Sequence, residues 1–412
     1  MRNPVFTSFT LPSGLVLKNR IAKAAMEENL AQEDQTPSQA LKNVYSAWAK
    51  GGTGLIITGN VMVDHLAMTG PGGLVLEQST DITAFAELAR LSKQNNCKVV
   101  MQINHPGRQV FKKMGGKVLS ASSVALNMGK HSHLFGVPRA MTQTDIDDVI
   151  TRFTQTALQA EKAGFNGVQI HAAHGYLLAQ FLSPLTNKRD DKWGGNLQNR
   201  ARLLLEITRS IKATCSPTFS VSVKLNSADF QRGGFEPNDA QVVVDLLNEL
   251  NVDFVELSGG SYEAPAMQGK TGDERTLARE AYFLEFAKAI SHRSSIPIMT
   301  TGGISRLSIA NNVIESGVPL VGIATALAYQ PNLVNKWQNE PLQLAVLPSV
   351  TWQDKTLAGL ATMALVKRQI RRVGQGKPVK TNASPIFTLI SDQLRSVKLT
   401  KRYRNRFASE IN

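Results

Sequence analysis

Along the chain, short apolar runs rich in β-branched residues alternate with longer stretches of helical period, from about residue 20 to about residue 335. The runs 21–26, 54–58, 97–103, 166–171, 218–225, 252–258, 296–300 and 319–323 read as strands. The stretches 37–51, 81–95, 144–163, 197–213, 238–250, 278–291, 305–316 and 331–339 read as the helices that follow them. Continuous apolar strands are buried on both faces, and right-handed helical crossovers close eight such units into a (β/α)8 TIM barrel of the α/β class. A doubly wound open sheet is the competing architecture.

Three segments fall outside the alternation. Residues 5–17 alternate around Pro12-Ser13-Gly14 and read as a β-hairpin lid on the N-terminal end of the barrel. The connection 105–141 is too long and too rich in Gly, Ser and Lys for simple linkage, and long loops after barrel strands carry function. Beyond residue 340, Met363, Val366, Ile370 and Val373 fall at i, i+3, i+7 and i+10, an apolar stripe on a helix. The expected organisation is a barrel domain, 1–340, followed by a helical C-terminal extension, 341–412.

Charge bears mainly on that extension. The 412 residues carry a net charge of +14, but residues 361–412 hold twelve Lys and Arg against only Asp392 and Glu410, so +10 sits in the tail. Packing of the stripe against the barrel or within a homo-oligomer is its first reading. Contact with a membrane surface or nucleic acid is the second. With only Cys97 and Cys215, the chain has no Cys-based zinc site, iron–sulfur set or disulfide framework, which fits a reducing, cytoplasmic setting. The start, MRNPVFTSFT, lacks the apolar core of a signal peptide, and no apolar run reaches the roughly 20 residues of a spanning helix, so a soluble protein is expected.

In such a barrel the chemistry lies just past the C-terminal ends of the strands. The residues there are Ala25, Met26 and Glu27; Gly59 and Asn60; Gln102 and His105; His171-Ala-Ala-His174-Gly-Tyr176; Lys224; Ser258-Gly259-Gly260; Thr301-Gly302-Gly303; and Ala324-Thr325. Two imidazoles in one mouth admit three readings. They ligate a metal together with His105, as in a metal-dependent hydrolase; they bind an oxyanion or carbonyl oxygen beside the phenolic donor Tyr176; or they only cap a strand. The Gly302-Gly303 turn and the small residues 322–326 offer bare backbone N–H groups to a phosphate, with tight packing as the alternative.

These residues resemble the old yellow enzymes, FMN-dependent ene-reductases of the NADH:flavin oxidoreductase class. The resemblance covers about residues 3–335. It is carried by Leu17-Lys18-Asn19-Arg20-Ile21 leading to Ala25-Met26, by Gln102 with His105-Pro-Gly107-Arg108, by HAAHGYLLAQFLSPLTNKRDDKWGGNLQNRARLLLEI over 171–207, and by the late TGGIS turn. It implies that Ala25, Met26, Gly59 and Gln102 line the isoalloxazine ring of FMN and that Gly303, Ala324 and Thr325 bind its phosphate. It further implies that His171 and His174 hold the carbonyl or nitro oxygen of an α,β-unsaturated substrate, and that Tyr176 is the proton donor. Arg200 and Arg202 read as structural. The implied reaction moves hydride from NADPH or NADH through flavin N5 to the β-carbon of an electron-poor alkene, while Tyr176 protonates the α-carbon. A flavin-binding barrel without catalysis is the remaining alternative.

Three positions depart from the resemblance. Glu27 stands where a Thr or Cys usually meets the flavin C4 carbonyl, so either a protonated carboxyl or a side chain turned from the ring is expected. Lys224 replaces the common Arg near flavin N1 and O2, a point charge in place of a planar fork. Thr325 replaces a phosphate-binding Arg, leaving a hydroxyl and backbone N–H groups. Substrate choice is expected in the 105–141 loop and around Tyr262.

Overall fold

A computed structural model describes residues 3–266 and 280–411 of the chain. Its centre is eight parallel strands: β1 (Ile21–Lys23), β2 (Leu55–Ile57), β3 (Lys98–Asn104), β4 (Gly167–Ala172), β5 (Ser220–Asn226), β6 (Val255–Ser258), β7 (Ile298–Thr300) and β8 (Leu320–Ile323). Each pairs with the next in sequence, and β8 returns to β1 through Val321 opposite Ile21 and Gly322 opposite Ala22. The ring has no open edge among these strands, which decides for the barrel over the doubly wound sheet.

The helices between strands are α1 (Gln39–Lys50), α2 (Thr83–Ser92), α3 (Gln143–Lys162), α4 (Leu197–Thr214), α5 (Pro237–Asn248), α6 (Leu284–Ser291) and α7 (Leu307–Glu315), with α8 (Leu333–Asn339) after β8. Their starts follow capping chemistry. Ser38 accepts from the Leu41 N–H, Thr142 and Asp145 form a capping box, and Asn196 accepts from the Asn199 N–H. The expected helix 278–291 is shorter than the pattern suggested. Positions 278 and 279 lie outside the described residues, and Ala281 adopts φ +59° and donates its N–H to the Gly302 carbonyl, so helical geometry begins only at Leu284. Short helices at Leu177–Leu182 and Thr325–Tyr329, absent from the sequence expectation, fill the mouth side.

Alternation along the strands sorts the lumen into layers. At the N-terminal end, Phe9–Thr10 pairs antiparallel with Val16–Leu17, and Leu11 and Leu17 plug the barrel against Ala22, Leu55, Val100, Phe254, Met299 and Leu320. The hairpin begins later than the pattern suggested because Pro4 opens a 3-10 turn over Pro4–Phe6. Burial of each large apolar side chain in such a layer contributes about 1.5–3 kcal/mol. Two residues further along the strands the lumen turns polar, at Gln102, Gln169, Lys224 and Glu256, all buried.

Two further helices, α9 (Lys355–Gly374) and α10 (Pro385–Arg406), close the described chain apart from a final turn. The first packs on α1 and on the helix Thr325–Tyr329, burying Ala361, Ala364, Leu365 and Ile370. Met363, expected in the buried stripe, instead faces outward at 37% exposure. Tail cations meet partners: Arg371 reaches Asp392 at 2.7 Å, Arg395 donates to the Asn29 carbonyl at 3.0 Å, and Arg402 pairs with Glu33. No helix among the described residues is long and apolar enough to cross a membrane.

Candidate active site

The mouth of the barrel is floored by a hydrogen-bonded chain. Gln102 Nε2 donates to Gln169 Oε1 at 2.7 Å, Gln169 Nε2 donates to Glu256 Oε2 at 2.9 Å, and Lys224 Nζ meets Glu256 Oε1 at 2.8 Å. Lys224 therefore lies buried inside the fifth strand, which runs on to Asn226, and its charge is balanced by Glu256. Gln169 and Glu256 were missed from sequence. Their signal was a polar residue interrupting an otherwise apolar, doubly buried strand.

Above this floor stands the group expected from His171-Ala-Ala-His174-Gly-Tyr176. The rings of His171 and His174 lie 5.1 Å apart, and His171 is 4.9 Å from the Tyr176 ring, both edge to face. The Ala173 N–H donates to His171 Nδ1 at 3.3 Å, which places the imidazole proton on Nε2. His174 Nε2 contacts the Ser258 hydroxyl at 2.8 Å. His174 sits at φ +60°, a strained conformation for a non-glycine residue, fixed by its N–H donating to Asn226 Oδ1 at 3.1 Å. Burial, and then the charge of Lys224, drive the pKa of both imidazoles well below the usual histidine value, so both are neutral at pH 7. The Tyr176 hydroxyl lies 3.2 Å from that of Tyr262, and burial first, with Tyr262 and Glu27 adding to it, raises the pKa of the Tyr176 phenol. It stays protonated and able to donate.

The wall past Tyr262 comes from the long loop after β3. Arg108 pairs with Glu263 at 2.6 Å and donates to the carbonyls of Val124 and Ala125, tying that loop to the segment after β6. Phe111 stacks on Phe135 at 4.7 Å, and Phe135 approaches Tyr262 at 6.1 Å. The metal alternative loses its geometry. His105 is buried, its Nδ1 accepts from the Gly107 N–H, and desolvation lowers its pKa to about 4. Among the described residues the clustered metal-type donors are Asp64, His65 and Glu77, which exclude all three proposed ligands and already pair with Lys117 and Arg152.

The remaining expected positions ring the same mouth. Ala25 and Met26 are half-buried after β1, and Gly59 follows β2 with no room for a side chain, since a Cβ would fall 2.1 Å from Glu28 Oε2. Gly303 has φ +69°, and a Cβ there would sit 2.4 Å from the Tyr282 hydroxyl. Ala324 and Thr325 open the helix Thr325–Tyr329. Glu27 is turned aside: Oε1 accepts from the Thr69 hydroxyl at 2.8 Å and Oε2 lies 3.8 Å from Lys367 Nζ. Arg200 donates to the Leu182 and Gly195 carbonyls and Arg202 to that of Lys192, which is structural work.

The family model of the NADH:flavin oxidoreductase / NADH oxidase family matches residues 4–342. The chain belongs to this family. It is 36% identical to the NADH-dependent flavin oxidoreductase iliE of Neonectria over 382 residues, covering 86% of this chain and 50% of that one. It is 35% identical to the NADH-dependent flavin oxidoreductase nadA of Aspergillus parasiticus, covering 86% and 82%. The chain thus spans half the length of the first relative and most of the second. In fold it matches the old yellow enzyme homologue from Zymomonas mobilis with TM-score 0.71 at 24% identity, over 82% of this chain and 94% of that one.

Membership makes the protein a flavin-dependent oxidoreductase with FMN as cofactor and a reduced nicotinamide as electron donor. The residues present fit FMN. Gln102 and Lys224 supply an amide and a cation suited to the polar edge of the ring. The exposed positive-φ turn at Gly302-Gly303 and the Thr325 hydroxyl suit a phosphate.

Proposed function

We propose that this family member is an ene-reductase acting on an electron-poor alkene conjugated to a carbonyl or nitro group, with Ala25, Met26, Gly59, Gln102 and Lys224 around the flavin ring, Glu27 next to them in the chain but with its carboxylate turned to Thr69, and Gly303, Ala324 and Thr325 at the flavin phosphate. The observation that carries the reading is the trio at the mouth: two neutral imidazoles 5.1 Å apart and a protonated phenol 4.9 Å from one of them. When bound, FMN relays hydride from the nicotinamide to the alkene. His171 offers its Nε2–H to the activating oxygen of the substrate. His174 offers Nδ1–H when the Ser258 hydroxyl donates to its Nε2. Two neutral donors stabilise charge developing on that oxygen without trapping the ground-state carbonyl as a cation would. Tyr176 gives its proton to the α-carbon, and the Tyr262 hydroxyl stands ready to resupply it.

Partners follow the same logic. A small-molecule substrate enters between the 105–141 loop and Tyr262. The pairing of Arg371, Arg395, Arg402 and Lys367 supports packing over nucleic-acid or membrane contact for the tail, while the exposed Ile386, Phe387, Ile390 and Leu394 on α10 support a homo-oligomer. The test is anaerobic: the FMN-loaded protein is bleached with NADH or NADPH and offered enones and nitroalkenes. Return of the yellow colour with such alkenes supports the reading; reoxidation by oxygen alone rejects it.

A further inference from the structure

Tyr403 of α10 belongs to a small apolar core that is separate from those of the barrel, with Phe407 and Ile411 packed against it. Its other members are Met62, Met68 and Val75, from the segment after β2, and Val110 and Met114, from the long loop after β3. Residues 403–411 lie beyond residue 342, where the family match ends. The fit is close. A Cβ on Gly115 would fall 2.6 Å from Ile411 Cγ2, and one on Gly116 would fall 2.0 Å from the Leu66 carbonyl oxygen and 3.3 Å from the Tyr403 hydroxyl. Polar contacts fix the same segment: the Tyr403 hydroxyl donates to the His65 carbonyl at 2.8 Å, the Lys117 N–H to the Leu66 carbonyl at 2.7 Å, and Lys113 Nζ to Ser396 Oγ at 3.1 Å. Residues 110–118 are therefore clamped between the C-terminal helix and the segment after β2.

From the clamped segment, ring contacts run to the mouth. Phe111 stacks on Phe135 at 4.7 Å, and the Gly136 N–H donates to the Val110 carbonyl at 3.0 Å beside that pair. The Phe135 ring lies 6.1 Å from that of Tyr262, whose hydroxyl is 3.2 Å from the Tyr176 hydroxyl. Phe135 also lines a cavity of about 530 Å³, together with Val110, Phe111, Val118, Leu126 and Val137. Small-molecule sites typically span roughly 300–1,000 Å³, so the size suits part of a ligand. Two polar neighbours are already engaged: Ser132 Oγ donates to the Gly129 carbonyl, and His133 Nδ1 contacts the Lys130 carbonyl. What Phe111 and Phe135 offer a ligand is apolar area and ring faces.

We propose that this cavity takes an apolar, aryl-sized substituent of the alkene, with Phe111 and Phe135 as the specificity-determining pair and with Tyr403 and Ile411 as positioning residues that hold the pair from the C-terminal end of the chain. The inference rests on the reading that an alkene sits beside His171, His174 and Tyr176. With its oxygen held by the imidazoles, a substituent extending past Tyr262 meets Phe135 next. Cyclohexenone carries no such substituent, whereas 4-phenyl-3-buten-2-one does.

The test compares these two enones on the full-length, FMN-loaded protein. Affinity for the oxidised form is read from the perturbation of the flavin absorption band, and reoxidation of the reduced form is then followed with each enone. The wild type is expected to bind the aryl enone about tenfold more tightly than cyclohexenone. Phe135→Ala is expected to bring that ratio close to one, and Tyr403→Ala or Ile411→Ala to lower it in the same direction. Tyr403→Phe, which keeps the ring, should preserve the ratio, and Tyr403→Ala should not lower it further once Phe135 is Ala. A wild-type ratio near one, a ratio untouched by Phe135→Ala, or equal losses for both enones in the Tyr403 and Ile411 variants would overturn the proposal. Ile411→Ala, in the final turn, gives the same reading should Tyr403→Ala fail to fold. Should no enone reoxidise the reduced protein, the ene-reductase reading fails, and the binding ratio still decides whether the cavity takes the aryl group.

Discussion

His171 and His174 are held neutral by desolvation and by Lys224, so neither titrates near the free-histidine value of roughly 6.5. Oxygen binding by this pair is expected to show no acidic limb in that region, and KM for an enone measured between pH 6 and 8 should stay flat. A limb near 6.5 that disappears in His171→Gln would contradict the assignment. Lys224 and Glu256 are almost wholly buried partners, and removing one strands the other. Glu256→Ala should therefore cost about 3–5 kcal/mol of stability, read by denaturant unfolding, and Lys224→Met in the same chain should return much of it. At this scale the sequence was informative wherever a polar residue closed an apolar run, as at Gln102, His171 and Lys224. It was silent on Thr69, Asn226 and Lys367, whose roles exist only because the fold brings distant loops together.

Among the elements, α10 and the turn that follows it are tied to the loop after β2 by a histidine clamp. His65 contacts Glu77 at 2.9 Å and Glu410 at 2.8 Å, its ring lies 4.8 Å from that of Phe407, and its carbonyl accepts from the Tyr403 hydroxyl. The hydrogen bond to Glu77 is the main cause that raises the His65 pKa to about 8. Since the folded value exceeds the unfolded one of 6.5, this contribution is complete below pH 6.5 and is lost as pH rises through 8. It amounts to about 1 kcal/mol after solvent screening. Limited proteolysis within 385–411 is expected to quicken between pH 6.5 and 9 relative to His65→Gln, in which the difference vanishes; equal rates in wild type at both pH values would refute the clamp. The core helices were legible because capping residues and a one-sided apolar period mark them. The buried face of α9 was misread at Met363 because that face runs through Ala361, Ala364, Leu365 and Ile370 and leaves Met363 at its outer side.

For the whole molecule, closure of eight consecutive parallel strands was legible because their apolar runs lack the alternation of a half-exposed sheet. The cofactor was legible only through the resemblance, since no spacing rule by itself separates a flavin floor from a metal site. FMN binds the folded barrel alone, so its removal should lower the unfolding temperature and its return should restore it in proportion to the logarithm of free FMN. The most direct test of the central claim is anaerobic stopped-flow on FMN-loaded wild type and Tyr176→Phe. Both are expected to be bleached by the nicotinamide at rates within about twofold, while reoxidation by cyclohexenone slows about a hundredfold in the variant. Reoxidation of Tyr176→Phe at the wild-type rate would contradict the account.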